Sequence, residues 1–170
     1  MCGLFTVVRF VRHNGGQITF GAQALDALHQ LRQVDDGAQE AGGVLLGRLI
    51  VNTEDVVVDE ITKPGPDDIR GRYRFKRSSN SAQPRVVSAW RESTGTKIYL
   101  GDWHSHPEDH PSPSCVDRRD WNRVVKRAVY EQDFLLFAIV GRRSIGVWEG
   151  RRIGRRSTAL HQCPAAIDEA

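Results

Sequence analysis

Residues 97–117 read KIYLGDWHSHPEDHPSPSCVD, and the fold turns on how this stretch changes character. Lys97 to Ser105 mixes Ile98, Tyr99, Leu100 and Trp103 with polar residues and reads as a strand. Pro107 lacks the N–H that would continue sheet pairing and helps end it. A Pro- and Ser-rich loop follows. From Ser114 to Tyr130 the spacing predicts the strongest helix of the chain, with Trp121, Val124, Val125 and Ala128 facing inward. Side chains two apart on a strand share a face, so His104 and His106 converge while Ser105 points away. Asp117 lies in the first turn of the helix, from which a short side chain can be aimed back. Two neutral imidazoles and one carboxylate would leave a bound zinc with net positive charge and a fourth position open, the composition of a catalytic site. Plainer readings stand beside this one. Ser114-x-x-Asp117 also fits a helix capping box, and a lone His-x-His pair also suits a half-exposed strand. The residues by themselves leave both readings open.

Outward from this stretch, strands and helices interleave. Phe5 to Val11 and Gln17 to Phe20 flank an Asn14-Gly15 turn and read as a hairpin. Ala22 to Gln33 is expected as a helix with Leu25, Leu28 and Leu31 along one side, ended by Asp35-Asp36-Gly37. Gly42 to Val51 and Asp55 to Thr62 read as strands. Lys63 to Arg70, with two prolines and a glycine, is expected as a loop. A short strand at Tyr73 to Lys76 and a helix over Ala82 to Glu92 follow. Phe134 to Val140 and Ile145 to Trp148 form a closing hairpin. There is no internal repeat or linker. The expectation is one α/β (α+β) domain over 1–150, with a basic C-terminal tail over 151–170 that is open to partial disorder.

The 170 residues can bury a core without disulfide staples. Cys2, Cys115 and Cys163 form no CxxC pair, which argues against a disulfide framework or a thiolate zinc finger; Cys115 is expected as buried packing. No apolar run approaches the roughly 20 residues of a membrane span, and Arg9 and Arg12 interrupt the apolar start before a signal-peptide core develops. We expect a cytoplasmic protein with no membrane partner. Net charge is +3. Arginines cluster at Ile69 to Arg77 and Gly141 to Arg156, but only Tyr73 and Phe75 supply interleaved aromatics, so no nucleic-acid partner is expected.

His104-x-His106-Pro107-x6-Ser114-x-x-Asp117 resembles the HxHP…SxxD signature of JAB/MPN (JAMM) zinc metallopeptidases, with its spacing intact. Upstream, Glu40-Ala41-Gly42-Gly43-Val44-Leu45-Leu46-Gly47 is similar to that family's glutamate motif, in the expected order along the chain. The resemblance covers roughly residues 17 to 149. It implies an MPN/cytidine-deaminase-like mixed β-sheet flanked by helices and one Zn2+ per chain. It further implies His104, His106 and Asp117 as metal ligands, Glu40 as general acid/base and Ser114 as a donor to the developing oxyanion. In such sites zinc lowers the pKa of a water to about 7; the glutamate takes its proton and returns it to the leaving amine.

Without the resemblance, Glu40 reads as a surface carboxylate before a strand. Gly42 and Gly43 read either as places of close backbone approach or as ordinary turn glycines. Trp103 and Asp102 are candidates for orienting the ligands, with Trp103 reading equally as a core residue, and His110 for an extra ligand or a solvated loop histidine. The stretch Tyr99 to Asp109 looks closest to small bacterial members of ubiquitin-like conjugation operons, including the deconjugating peptidases of CBASS-type and Bil-type anti-phage systems. The implied substrate is a bond after the C-terminal tail of a ubiquitin-like protein or of a conjugated cyclase. The Lys63 to Arg70 loop and the basic segment after it are candidates to clamp that tail. A catalytically silent MPN-like scaffold is the reading of another class. An amidohydrolase barrel would need about 250 residues.

Overall fold

A computed structural model describes residues 7–154 and 157–166. In chain order the elements are β1 (Val8–Val11), β2 (Gln17–Phe20), α1 (Ala22–Gln30), β3 (Gly42–Leu49), β4 (Val56–Ile61), β5 (Ile69–Gly71), β6 (Arg74–Lys76), α2 (Gln83–Glu92), β7 (Ile98–Ser105), α3 (Cys115–Arg127), β8 (Phe134–Val140), β9 (Ile145–Ile153) and β10 (Ser157–Cys163). Eight strands form one sheet in the order β1-β2-β4-β3-β7-β8-β9-β10, and β5-β6 is a separate two-stranded hairpin. The pairs β2–β4 and β7–β8 are parallel, the other pairs in the large sheet antiparallel. The two ends of the sheet meet, because Val11 N–H donates to Pro164 C=O at 2.8 Å and Phe10 bridges Ala165. This is the mixed, helix-flanked α+β sheet that the resemblance implied.

The strand β8, Phe-Leu-Leu-Phe-Ala-Ile-Val, is apolar at every position because both of its faces are covered. Phe134, Leu136, Ala138 and Val140 join α1 (Ala24, Leu25, Leu28) and the strand residues Ile18, Phe20, Val56 and Val58. The alternate residues Leu135, Phe137 and Ile139 pack with Trp121 and Val125 of α3 and with Trp148. A smaller cluster sets Ala82 and Ala89, from the α2 region, on Val44 and Leu46 of β3. The central pair β3–β7 therefore has helices on both sides, and its ends carry the site.

Several boundaries differ from the sequence expectation. The helix α1 stops at Gln30, and Gln33 turns inward to bond backbone carbonyls elsewhere. Part of the expected loop at 63–70 pairs instead, as β5 with β6. The helix α3 ends at Arg127 because Arg152 reaches across to its last carbonyls, donating to Val125 C=O and Ala128 C=O at 2.6 Å. Beyond Gly150, where the sequence reading ends the domain, β9 runs on to Ile153 and β10 pairs with it antiparallel over seven residues. Cys115 is exposed at the start of α3, not buried, while Cys163 is buried in the core. Cys2 and residues 167–170 of the expected tail lie outside the described residues.

Candidate metal centre

The histidines stand at the end of β7, where the strand lies between β3 and β8 with Gly42 opposite His104 on one side and Ile139 on the other. Glycine at 42 is required by space: a Cβ there would fall on the Phe75 ring of the β5-β6 hairpin, and one at Gly43 on Thr62. The close-approach reading of both glycines is the one the structure bears out. On α3, Asp117 and Trp121 are one turn apart and share a face. Trp121 is buried against Phe137, stacked at 4.9 Å, and Trp148, which fixes the azimuth of α3 and aims Asp117 at the end of β7.

The donor atoms then converge. His104 Nε2 lies 3.0 Å from His106 Nε2 and 3.2 Å from Asp117 Oδ1, and His106 Nε2 lies 3.5 Å from Asp117 Oδ2. Donors that share a tetrahedral ion at about 2.0–2.1 Å sit roughly 3.3 Å from one another. The observed spacings bracket that value. A hydrogen can satisfy only one direction between two facing imidazole nitrogens, whereas a cation satisfies both. The capping box is present as well: Ser114 Oγ accepts from Asp117 N–H at 3.1 Å, and Ser114 N–H and Oγ–H both donate to Asp117 Oδ2 at 2.6 Å. The two readings of Ser114-x-x-Asp117 are thus one arrangement, in which the cap holds the carboxylate that faces the histidines.

The local charge points the same way. Burial would raise the Asp117 carboxyl, but hydrogen bonds from His104, His106 and Ser114 hold it well below the usual range. Burial would lower His106, but its bond to Asp117 and the charges of Asp117, Glu40 and Glu108 raise it. The two shifts are the two sides of one ion pair, and they keep Asp117 in the carboxylate form that a cation would need. The residues present fit such an ion. Glu40, only 5% exposed, completes the group. Burial pushes its carboxyl up to about 7, His106 pulling it down and Asp117 and Glu108 pushing it further up.

A family model described as prokaryotic homologs of the JAB domain matches residues 21–153. The chain belongs to this prokaryotic JAB family. A CD-NTase/cGAS isopeptidase from Vibrio cholerae serotype O1 is 40% identical over 121 residues, 71% of this chain and 72% of that protein. One from Escherichia coli strain TW11681 is 31% identical over 144 residues, 85% of this chain and 87% of that protein. A probable metalloprotease from Sinorhizobium fredii is 28% identical over 88 residues, 51% of this chain and 53% of that protein. The solution structure of protein DSY2949 from Desulfitobacterium hafniense shares the fold, with a TM-score of 0.50 at 20% identity over 81% of this chain and 83% of its own.

Around the candidate centre, Trp103 takes its core reading and His110 its loop reading, and Asp102 bonds other partners. Trp103 points into the core and donates its Nε1–H to Thr62 C=O, and Asp102 bonds Arg77 and Tyr99; neither holds a histidine. His110 bonds Ser144 Oγ at 3.0 Å. Glu108, which the sequence did not single out, comes within 3.7 Å of His106 Nδ1. Its place directly after Pro107 was the available signal.

Proposed function

We propose that this JAB-family chain is a zinc-dependent isopeptidase, cleaving after the C-terminal tail of a CD-NTase-type cyclase or a ubiquitin-like protein. One juxtaposition carries the reading: three donor atoms spaced for a single cation stand beside a buried glutamate whose carboxyl is pushed to about 7. A group poised there can both accept and return a proton near neutral pH. The names of the Vibrio cholerae and Escherichia coli relatives favour the cyclase conjugate over Bil-type processing of a ubiquitin-like protein.

When bound, zinc would lower the pKa of a water to about 7 and polarise the scissile carbonyl. His104, His106 and Asp117 are the residues to hold it. Glu40 takes a proton from the attacking water and delivers it to the leaving amine as the C–N bond breaks, so it ends the cycle ionised as it began. The Ser114 hydroxyl, which donates to Asp117, turns to donate to the developing oxyanion.

The test is release of an amine-linked reporter from the tail of a CD-NTase, with zinc measured in parallel. Glu40→Ala is expected to keep one zinc per chain and lose cleavage, and His106→Ala to lose both. Turnover retained in Glu40→Ala overturns the mechanism. Stoichiometric zinc with no cleavage of any tail fusion favours the silent scaffold.

A further inference from the structure

Between the two histidines, on the opposite face of β7, lies a buried polar chain that plays no part in holding a metal. Ser105 is fully buried. Its Oγ accepts from Ala41 N–H at 2.9 Å and donates to Gln33 Oε1 at 3.0 Å. Gln33, 1% exposed, donates through Nε2 to Ala38 C=O at 3.1 Å and to Arg72 C=O at 2.9 Å. Ser105 N–H also donates to Ala41 C=O at 2.8 Å. On the other side of the glutamate, Glu40 N–H donates to Gly71 C=O and Arg70 Nε donates to Glu40 C=O, each at 2.8 Å.

Three pieces of chain therefore meet at one amide side chain: the ligand strand, the segment ending in Glu40, and the β5-β6 hairpin. That segment, residues 31–41, has no helix or strand of its own. Its peptide groups near Glu40 are held by Ser105 on one side and by the hairpin on the other. A buried polar network whose members are bonded to one another rigidifies the chain segments it joins.

From this chain of bonds we infer that Gln33 and Ser105 are positioning residues: they lock the Glu40 backbone in register with the histidine strand, and Gln33 also ties the hairpin to that register. This rests on the proposed role of Glu40 as proton shuttle. Ser105 reaches only the Glu40 segment, while Gln33 reaches both that segment and the hairpin, so the two residues have separable kinetic signatures.

The experiment uses Ser105→Ala and Gln33→Met in the full chain, with Val58→Ala in the far part of the sheet as a control for lost stability. Readouts are zinc content, amide hydrogen exchange, and kcat and KM on the tail fusion well below the melting temperature. Both variants should keep one zinc per chain and exchange the Glu40 and Ala41 amides at least tenfold faster, with Trp103 and Ala138 unchanged. Misplacement of a reacting group by about 1 Å costs up to about a hundredfold in rate. Ser105→Ala should accordingly lose about ten- to a hundredfold in kcat with KM unchanged, and Gln33→Met should lose kcat and also raise KM. Unchanged Glu40 and Ala41 exchange, or a kcat loss no larger than that of Val58→Ala, overturns the inference. If Gln33→Met does not fold, Ser105→Ala decides alone. If the wild-type chain cleaves no tail fusion, the proposed function fails, and the exchange measurement still decides whether the network holds Glu40.

Discussion

The hydroxyl of Ser114 accepts from Asp117 N–H and donates to Asp117 Oδ2, so a single oxygen caps α3 and steadies the carboxylate facing His104 and His106. Removing it separates two effects by size. Loss of an N-cap side chain costs about 1 kcal/mol of stability, whereas loss of one oxyanion donor costs about 10²–10³ in kcat. Ser114→Ala is expected to show both, and Ser114→Thr, which keeps the hydroxyl, to restore both. Urea unfolding and steady-state kinetics on the same samples make the comparison. If Ser114→Ala loses stability alone, the oxyanion role is wrong and Ser114 is a cap. The convergence of His104 and His106 was legible in the sequence, because strand alternation alone puts them on one face. Gln33 was not. Its role depends on partners 5, 39 and 72 residues away, and no local pattern marks a glutamine for burial.

At the scale of elements, α2 is joined to the sheet by an ion-pair network as well as by Ala82 and Ala89 on Val44 and Leu46. Arg85 donates to both oxygens of Glu60 at 2.5 and 2.8 Å, and Lys97 Nζ lies 3.2 Å from the same carboxylate. The Arg85 bonds hold the Glu60 carboxyl below its ordinary value of 4.5, against a burial effect that would raise it. A carboxylate whose folded pKa is depressed contributes stability above its unfolded pKa and loses it as pH falls through the folded value. Arg85 is partly exposed and solvent screens the pair, so Glu60→Gln is expected to cost only about 1 kcal/mol at pH 7. The gap from the wild type should persist down to the range where a free glutamate titrates and close below it, read from urea midpoints across pH. A gap independent of pH would mean that packing, and not charge, holds α2 there. The elements that were legible, β7, β8 and α3, carry strong apolar periods or long apolar runs. The strand β10 was not legible: Ser157 to Cys163 mixes small and polar residues, and its half-buried place at the sheet margin imposes no clean alternation. Of the β5-β6 hairpin, β6 falls within the short strand read at Tyr73 to Lys76, whereas β5 was hidden by the prolines and glycine before it.

For the molecule as a whole, the ends of the sheet are held together by a buried ion pair between the residue after β1 and the penultimate strand, β9. Arg12, after β1, donates through Nε to Glu149 Oε2 on β9 at 2.8 Å, through Nη1 to Glu54 C=O at 2.5 Å, and packs over the Phe134 ring. Its Nη2 is buried with no hydrogen-bond partner among the described residues. Glu149 is fully buried but has a second cation, since Arg151 Nε donates to its Oε1 at 2.7 Å. The two partners are therefore not equivalent. Removing the arginine leaves Glu149 still paired with Arg151, while removing the glutamate leaves a buried guanidinium whose nearest carboxylate is the exposed Glu54 at 3.7 Å. Stranding a buried charge costs about 3–5 kcal/mol, and replacing both partners by apolar residues is often neutral or better. Glu149→Leu should accordingly cost about that much, Arg12→Met clearly less, and the double variant should recover most of the Glu149→Leu loss. Urea denaturation gives all three values, provided the slope with denaturant is unchanged so that midpoints report stability. An Arg12→Met loss equal to that of Glu149→Leu, or losses that simply add in the double variant, would show that the charges close the sheet independently. If the order holds, the segment after Gly150 is part of the domain's closure, because Arg151 is the cation that makes Arg12 the less costly partner to remove.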